Sequence, residues 1–501
     1  MILGVCDSSA KSYLCAMLSL VLLVVLLLIY PIVLLIVGRL TGRRADNDTF
    51  FTGNRRTPWY LAWPAMISAA MSGITFVSLP GSVAADGFSY LQMVAGFTVG
   101  QLLIAFWLVP RFYRLQVRSI YQYFDHRFGL SAHRSAAWCF VVAKLLSAAL
   151  KLYMVAAVVQ MLFQTGGVEL PFWGAAAGVM AIVWGYTRRG GVRTVMQTDL
   201  IKSGVMLTAL VGIVVALCRA LGWSFAEACE AVAQSPFSQV LVLDDPASER
   251  YFWKMFVAGI VLLLAMTGLD QDLMQRNLSC RSVGDAQRNI VLTAISQAVV
   301  ILLFLVLGVL LYAYADARAL ARPEDPDQLL PLVAGSELLP GWVGVLFVLG
   351  FSAGSYSAGG SALTALTTSI TLDVLGDKQL DENRIARLRV RAHALLAVTL
   401  LGLILLLNYL ASESVINLIY KVAGYTYGPI LGLFLFGEFT RRTIAGRKVW
   451  WVVLISPLLS FGVQYIVGCY LNYRIGFELL LLNAAFTYVC MWLVSRRATT
   501  A

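Results

Sequence analysis

A dense series of hydroxyl side chains interrupts the apolar stretch 341–372. Its sequence from residue 350 is GFSAGSYSAGGSALTALTTSITLD, with nine Ser and Thr residues between Ser352 and Thr371. In a helix, Ser357, Ser361 and Thr364 share one face, because they recur at intervals of three or four residues. Hydroxyl oxygens in such an array suit a monovalent cation. The alternative is a close helix contact through small residues, and we favour the ion site.

Ionisable side chains also occur within stretches that are otherwise apolar. An ionisable group in hydrocarbon is costly, so each is a functional hypothesis. Lys144 and Lys151 are seven residues apart and share roughly one helical face. If Lys151 faces a substrate pocket, it favours an anionic substrate. If it is paired with an acidic neighbour, it says nothing about the substrate, and the sequence leaves both possibilities open.

An acidic residue, Asp199, lies near the start of the apolar stretch 196–219, and Lys202 follows one turn later. A carboxylate near a helix N-terminus gains about 0.3–1 kcal/mol from the helix dipole, so a simple capping role is the structural alternative. We favour a role in an ion path, because an intramembrane carboxylate needs a functional reason. Lys202 and Asp272 are interpreted as side chains that extend to the membrane interface.

Two apolar stretches contain polar and small residues that interrupt them. The stretch 58–82 contains Ser68, Ser72, Gly73 and Thr75, and the stretch 252–275 contains Thr267, Gly268 and Asp270. Such residues within a spanning helix allow local unwinding, and unwound carbonyls can coordinate Na⁺. The alternative is close packing of helices through small residues, which is common in membranes.

The elements that must position these residues are membrane-spanning helices. The chain has 501 residues, of which 59% are hydrophobic and 13% charged, whereas soluble domains have about 25% charged residues. This composition excludes a cytosolic enzyme, a disordered protein and a secreted module. A spanning helix needs about 20 apolar residues. We predict thirteen spans, at 13–38, 58–82, 90–110, 135–164, 170–187, 196–219, 252–275, 289–315, 341–372, 388–411, 413–437, 448–470 and 475–496.

Positive charge alternates along these predicted spans. Of 38 Lys and Arg residues, 27 fall in alternate connections, and Lys and Arg are enriched in cytoplasmic loops. We therefore expect a multi-pass protein of the plasma membrane with its N-terminus outside and its C-terminus in the cytoplasm. The net charge of +11 then reflects topology, and no nucleic-acid partner is expected.

Other chemistries lack the residues that they need. The eight Cys include no C-x-x-C pair and the three His are dispersed, so neither a disulfide framework nor a zinc site is expected. No nucleotide-binding glycine motif is present, which argues against ATP-driven transport. No nucleophile–base pair is visible, which disfavours an enzyme. Any energy that the protein uses must come from an ion gradient.

Several motifs together resemble the sodium:solute symporter family, which includes sodium-coupled sugar, proline and sialic-acid carriers. The motifs are MSGITFVSLPG (71–81), YTRRGGVRTVMQTDLIK (186–202), GLDQDLMQRNLSCRSVGDAQR (268–288), SYSAGGSALTALTTSITLD (355–373) and YTYGPILGLFLFG (425–437). They occur in the order typical of the family and are spread over most of residues 58–437. Of these, the GG-x(6)-TD and DQD-x-x-QR patterns are the most specific.

The resemblance implies an all-α membrane protein with a ten-helix core. This core would consist of two inverted five-helix repeats, at 58–219 and 252–437, whose first helices are broken. One accessory helix at 13–38 would precede the core, and two accessory helices within 448–496 would follow it. Inverted repeats of this kind place the binding site at the broken helices.

The resemblance also implies positions for two ions. The ligands of the coupling sodium ion would be the carbonyls of Ser68, Met71 and Gly354 and the hydroxyl of Ser357. The hydroxyl expected beside Ser357 is missing, because residue 358 is Ala358. A second ion site, or an ion path, would use Asp199, Ser357 and Ser361. One hydroxyl is missing there too, at Gly360.

The resemblance further implies a substrate pocket at mid-membrane. The residues that would line it or lie close to it are Ser72, Thr75, Gln92, Lys151, Asp270 and Gln271. The implied activity is sodium-coupled symport of a small organic solute by alternating access, with no cofactor besides the sodium ion and with a monomer sufficient in the lipid bilayer. Because Ala358 and Gly360 lack hydroxyls, the alternatives are an uncoupled or proton-coupled facilitator and a transporter-like sensor.

Overall fold

The fold consists almost entirely of helices. The structure is a computed structural model that describes residues 29–43, 45–165, 168–246, 248–336, 338–376, 381–410, 415–444, 446–471, 475–476 and 478–497. The helices up to residue 234 are α1 (Ile29–Thr41), α2 (Asn47–Thr52), α3 (Trp59–Ala70), α4 (Gly73–Gly81), α5 (Val83–Asp86), α6 (Tyr90–Leu103), α7 (Val109–Arg114), α8 (Gln122–Phe128), α9 (Leu130–Thr165), α10 (Phe172–Thr187), α11 (Gly191–Leu221) and α12 (Phe225–Gln234).

The remaining helices continue the same architecture. They are α13 (Phe252–Leu263), α14 (Gln271–Leu278), α15 (Val283–Ala317), α16 (Leu329–Ala334), α17 (Trp342–Ser369), α18 (Glu382–Leu410), α19 (Val415–Phe439), α20 (Lys448–Leu471) and α21 (Glu478–Val494). Turns of π-helix follow α6, α13 and α17, at Ile104–Leu108, Leu264–Gly268 and Ile370–Val374. Two dipeptide strands, β1 (Arg442–Thr443) and β2 (Arg496–Arg497), pair antiparallel.

The helices are those of a multi-pass membrane protein. Within the described residues, seven helices are long and apolar enough to cross a membrane, or nine if each bent pair counts as one span. Three further apolar helices, α1, α10 and α21, are shorter. Every predicted span coincides with a helix or a bent pair over its described part, and residues 13–28 lie outside that part. The count of thirteen and the division into repeats and accessory helices stay predictions.

The first bent pair is formed by α3 and α4, which meet at an angle of 58°. Met71, between them, is extended with φ −103° and ψ 114°. Ser72 then caps α4, because its hydroxyl accepts from the Thr75 N–H while the Thr75 hydroxyl accepts from the Ser72 N–H. In a continuous helix that Ser72 N–H would bond the carbonyl of Ser68. The predicted interruption of this span is confirmed.

The second bent pair is formed by α13 and α14, which meet at 67°. The π-helical turn Leu264–Gly268 ends the first half, and Asp270 begins the second. The Asp270 carboxylate accepts hydrogen bonds from the backbone N–H groups of Asp272 at 2.8 Å and Leu273 at 3.2 Å. A side-chain cap of this kind satisfies N–H groups that have no partner inside the helix. This interruption is confirmed as well.

Glycines allow two close contacts between backbones, one of α17 with the first break and one of α6 with α13. A Cβ atom on Gly354 of α17 would lie 2.7 Å from the Gly73 nitrogen, so α17 touches the break of the first pair. A Cβ atom on Gly96 of α6 would lie 2.1 Å from the carbonyl oxygen of Phe256 in α13. On the other side of that contact, a Cβ atom on Gly259 would meet α6 equally closely. Only glycine permits such approaches.

The centre of the molecule is α17, which packs against α11, α9, α4 and α18. Its hydroxyl-bearing face, with Ser357, Ser361, Thr364 and Thr368, is buried. The face therefore lies against protein and not against lipid, as the sequence pattern predicted. It is this face that the two breaks approach.

Candidate ion and substrate site

A cavity of about 720 Å³ is enclosed by the two bent pairs, α6, α9, α17 and α19. Residues of the connections 235–251 and 318–341, among them Arg250 and Asp327, lie at its mouth. We call this side of the molecule the open face. Away from the mouth, the lining residues include Lys144, Lys151, Asp270, Asp272, Ser361 and Tyr427. The cavity thus reaches several of the ionisable residues that the sequence singles out.

Asp199 is fully buried in α11 and is held by two cations. Its Oδ1 accepts hydrogen bonds from Lys202 Nζ at 3.0 Å and from Ser357 Oγ at 2.9 Å, and its Oδ2 accepts from Arg276 at 2.9 Å. Asp199 lies eight positions beyond the first residue of α11, outside the first turn where the helix dipole acts. The capping alternative for Asp199 is therefore wrong.

Lys202 and Asp272 do not extend to the membrane interface, and this expectation is wrong for both. Lys202 is 0% exposed, because its ammonium is inserted between α10, α11 and α17. Asp272 is buried between Arg276, at 2.6 Å, and Lys144, at 2.8 Å. The hydroxyl of Ser361 also donates to Asp272, at 3.0 Å. Each charge is held inside by a partner on its own helix and by further partners on other helices, which local sequence does not reveal.

Asp270 completes this set of charges on the cavity side. Its carboxylate accepts from Lys144 at 3.1 Å and from the hydroxyl of Tyr427 on α19, in addition to capping α14. Asp270 therefore lines the cavity as predicted, but with its oxygens already engaged by protein groups. This position joins the second break to α9 and α19.

The ion pairs form a continuous buried system, which we call the charge network. Its members are Asp199, Lys202, Arg276, Asp272, Lys144 and Asp270. Three carboxylates face three cations, so the network is formally neutral. Arg276 is 1% exposed, although it follows the predicted span 252–275 and so falls in one of the connections predicted to be cytoplasmic. The available signal was its position four residues after Asp272, where side chains meet on a helix.

Lys151 differs from every cation in the charge network. It lines the cavity two turns from Lys144 on α9. Among the described residues, no hydrogen bond or ion pair to its ammonium is found. Lys151 therefore places beside the neutral network a positive charge that has no ion-pair partner among the described residues, although Asp86, Glu249, Asp325 and Asp327 also line the cavity. Of the two possibilities that the sequence left open, the geometry matches the ammonium that faces the pocket.

The residues predicted to bind the coupling sodium ion lie together at the first break. Ser68 Oγ donates to Ser357 Oγ at 3.1 Å, and Gly354 contacts the backbone of residues 72–73. Met71 and Ala358 line the cavity beside them. Hydroxyl oxygens and carbonyls released by the break are hard ligands in a protein-lined place, which suits Na⁺. The donor set fits the ion that the resemblance implies.

The hydroxyls predicted for the second ion site are bonded to two different carboxylates of the charge network. Ser357 does reach Asp199, but Ser361 donates to Asp272 instead. A Cβ atom on Gly360 would lie 1.7 Å from the hydroxyl of Tyr186. Tyr186 was not singled out in the sequence, where an aromatic residue in an apolar span is indistinguishable from core packing.

The remaining predicted pocket residues fall into two groups. Ser72 and Thr75 line the cavity. Gln92 and Gln271 do not, because their side-chain amides are bonded to backbone. The Gln92 oxygen accepts from the Val242 N–H at 3.0 Å, and the Gln271 oxygen accepts from the Ile120 N–H at 2.9 Å.

The side opposite the mouth, which we call the closed face, is sealed by hydrogen bonds around residues 119–121. Tyr121 donates to the carbonyl of Leu269 at 3.0 Å, and Ser119 donates to Asp373 at 2.7 Å. His133 is a further partner of Asp373, at 2.9 Å. Together with the Gln271 contact, these bonds tie the connection after α7 to the second break and to the end of α17. The cavity is thus accessible from one face.

Comparison with known proteins gives a family and a fold. The sequence profile of the sodium:solute symporter family matches residues 50–447. The human sodium/iodide cotransporter is 26% identical over 421 residues, which are 80% of this chain and 63% of that protein. The chain therefore spans less than two thirds of that relative's length. The sodium/sialic acid symporter NanT of Aliivibrio fischeri is 25% identical over 428 residues, 82% of this chain and 81% of NanT.

A solved structure has the same fold over nearly the whole chain. It is a Na⁺-coupled sialic acid symporter in a substrate-bound outward-open state, and it superposes with a TM-score of 0.80 at 18% identity. The superposition covers 93% of this chain and 96% of that chain. Mhp1, a nucleobase-cation-symport-1 family transporter in a closed conformation, superposes with a TM-score of 0.56 at 12% identity.

Proposed function

Because the chain belongs to the sodium:solute symporter family, a family of transporters and not of enzymes, we propose that it couples Na⁺ entry to the uptake of a small anion. The observation that supports an anion is Lys151, whose ammonium lines the cavity without a hydrogen-bonding or ion-pair partner among the described residues. The charge network beside it is already balanced. A bound anion would give the Lys151 ammonium an ion-pair partner.

The attraction between the Lys151 ammonium and an anion is large enough to favour anionic solutes. Two unit charges 4 Å apart attract by about 4 kcal/mol at an effective dielectric constant of 20, before the cost of removing water. The cavity, at about 720 Å³, lies within the range of roughly 300–1,000 Å³ usual for small-molecule sites. Iodide and sialic acid, named for two relatives, are both anions, which agrees with the proposal. Gln101 and Gln297, which also line the cavity, provide amides for polar groups of the solute.

For the ion, we propose one Na⁺ held by the carbonyls of Ser68, Met71 and Gly354 and by the hydroxyl of Ser357. This ion would join the first break to α17. Met71 and Ser72 also line the cavity, so the ion position and the solute position share a wall. Sodium that stabilises the wall would raise the affinity for solute, and bound solute would raise the affinity for sodium by the same factor.

The transport cycle that we propose is alternating access between the two faces. In the other state, the hydrogen bonds around residues 119–121 would be broken and the mouth between the connections 235–251 and 318–341 would be closed. We further propose that the protein lies in the plasma membrane with its N-terminus outside, which makes the open face extracellular. The distribution of Lys and Arg supports this orientation.

Reconstituted vesicles test the proposal. Purified full-length protein is placed in liposomes and offered radiolabelled sialic acid, lactate or iodide, with an inward Na⁺ gradient or with choline in place of Na⁺. We expect at least one of these anions to accumulate above its equilibrium concentration only when the Na⁺ gradient is present. A neutral solute of similar size, such as glucose, is the control for selectivity.

Three results would contradict the proposal or its choice of substrate class. Equilibration of an anion that ignores Na⁺, H⁺ and voltage would establish an uncoupled facilitator. Accumulation that follows a proton gradient and not a sodium gradient would establish a proton-coupled carrier. Accumulation of glucose without any of the anions would reject the role of Lys151 in choosing the substrate.

A further inference from the structure

The ammonium of Lys202 lies in a cage of oxygen atoms. It donates to Asp199 Oδ1 at 3.0 Å, to the hydroxyl of Tyr186 at 3.2 Å and to the carbonyl of Tyr356 at 3.4 Å. All three oxygens belong to buried residues on α10, α11 and α17. A carboxylate, a hydroxyl and a carbonyl around one positive charge are also the kinds of ligand that a sodium ion takes. The lysine occupies, with its own charge, a place that a free cation would fit.

The tyrosine hydroxyl of this cage occupies the space that a side chain at position 360 would need. Residue 360 is glycine, and a Cβ atom there would lie 1.7 Å from the Tyr186 hydroxyl. No serine side chain fits at position 360 while Tyr186 is in place. The Tyr186 hydroxyl in turn donates to the carbonyl of Tyr356 at 2.8 Å. An oxygen is thus supplied by α10 and not by α17, and it is oriented so that it accepts from Lys202.

The charge balance around Asp199 disfavours a sodium ion bound to this carboxylate. Asp199 already faces Lys202 and Arg276, and the whole charge network is neutral. An added sodium ion would leave a net positive charge in a buried region, which is costly. If the lysine charge were removed, the network would instead have one carboxylate in excess.

We propose that Lys202 is a tethered cation that replaces a second coupling ion, so that this chain binds at most one Na⁺ in each cycle. The inference extends the proposed function, because it fixes the stoichiometry of the same transporter. A tethered charge cannot dissociate on either side of the membrane. It therefore holds Asp199 and α17 together in every state without drawing energy from the gradient.

The experiment counts sodium ions directly. Radioactive Na⁺ bound at saturation is measured on purified full-length wild type and on Lys202→Ala, which removes the ammonium and leaves its cage. We expect the variant to bind one more Na⁺ than the wild type. Adding Asp199→Asn to Lys202→Ala abolishes the extra ion, because the carboxylate that would hold it is gone. Lys202→Arg keeps the charge and serves as the matched control, with the wild-type count.

Each result separates this inference from the proposed function. A wild type that binds no Na⁺ rejects sodium coupling, but the increase of one ion in Lys202→Ala still supports the tethered cation. An unchanged count in a monodisperse Lys202→Ala rejects the tethered cation, whatever the wild type binds. If Lys202→Ala is monodisperse in sodium chloride and aggregates in choline chloride, the ion fills the vacated cage and the inference holds. Aggregation of Lys202→Ala and of Lys202→Gln in both salts rejects it.

Discussion

Lys144 and Lys151 lie on one helix and line one cavity, but within the described part of the chain only Lys144 has carboxylate partners. We therefore expect Lys144 to have a structural role and Lys151 to have a role in binding. Lys144 joins Asp270 to Asp272 and so fixes the second broken span against α9. The Lys151 ammonium lines the cavity and would contact a solute bound there. Spacing alone makes the two lysines equivalent, and their partners distinguish them.

This difference predicts opposite results for the two lysines. Lys151→Gln should lower the affinity for the transported anion by roughly tenfold or more, because a lost charge contact of about 1.4 kcal/mol corresponds to a factor of ten. It should leave thermal stability unchanged, because no described partner is left unpaired. Affinity is measured by competition against the labelled anion. Ser147→Ala, one turn from Lys151 in the same cavity, is the neutral control, and equal effects of the two substitutions would refute the assignment.

Arg276 should be required for stability, although its sequence position resembles a loop. Arg276→Met leaves Asp199 and Asp272 buried with fewer partners, and removing one member of a buried pair costs about 3–5 kcal/mol. We expect a clearly lowered unfolding temperature in detergent. Arg322→Gln is the control, because Arg322 and its partner Asp316 are 50% and 59% exposed and exposed pairs contribute little. Similar unfolding temperatures for both variants would show that the charge network is not structural.

The proposed sodium position can be weakened and strengthened by two neighbouring substitutions. Ser357→Ala removes a ligand and should require a higher Na⁺ concentration for half-maximal transport. Ala358→Ser restores a hydroxyl beside it and should require a lower one. Thr364→Ala is the control. Thr364 lies two turns after Ser357 on α17, and its hydroxyl donates to the carbonyl of Gly360. One Na⁺ response shared by all four proteins would mean that the ion binds elsewhere.

Asp327 at the cavity mouth should make stability depend on pH. Burial raises the pKa of its carboxyl above the ordinary value, the Ser78 hydroxyl at 2.6 Å opposes this, and the Asp325 charge adds to it. A carboxyl with a raised pKa stabilises the fold fully below its unfolded pKa, near 3.9, and loses that contribution as pH rises through the folded pKa.

Asp327→Asn should therefore unfold at a higher temperature than wild type at neutral pH, with the difference shrinking as the pH is lowered. Unfolding temperatures at several pH values measure this. Asp316→Asn is the comparison, since Asp316 is an exposed partner of Arg322. A difference between Asp327→Asn and wild type that is independent of pH would exclude the carboxyl as its source.

Orientation in the membrane is tested by Cys229, which is exposed on α12 in the connection between α11 and α13. If that connection is extracellular, a membrane-impermeant maleimide should label Cys229 in intact cells. Cys229→Ser is the control and should lose this label. Labelling that appears only after the cells are opened would reverse the proposed topology.

The sequence predicts the breaks and the buried hydroxyl face, but not the charge network. The breaks depend on helix caps, which form between residues close in sequence and can therefore be predicted from it. The two caps are those of Ser72 with Thr75 and of Asp270 with the N–H groups that follow it. Asp199 has one partner on its own helix, Lys202, but Arg276 on α14 and Ser357 on α17 are 77 and 158 residues away, and no periodicity indicates them. Arg276 and Lys202 lie near span ends, where a solvated charge and a buried one look alike. Gln271 lies next to a cavity residue, but its amide is bonded to the backbone of Ile120.

The contact between Gly96 and Gly259 has a mechanical consequence. Backbone meets backbone there, with no side chain between α6 and α13 that could change rotamer and absorb a displacement. We therefore expect the two helices to move together as one rigid unit, and both line the cavity through residues such as Phe97 and Leu262. A larger residue at either glycine would push α6 and α13 apart and change the angle between them. It would slow the conformational cycle, although the ligands of the sodium ion and of the solute remain in place.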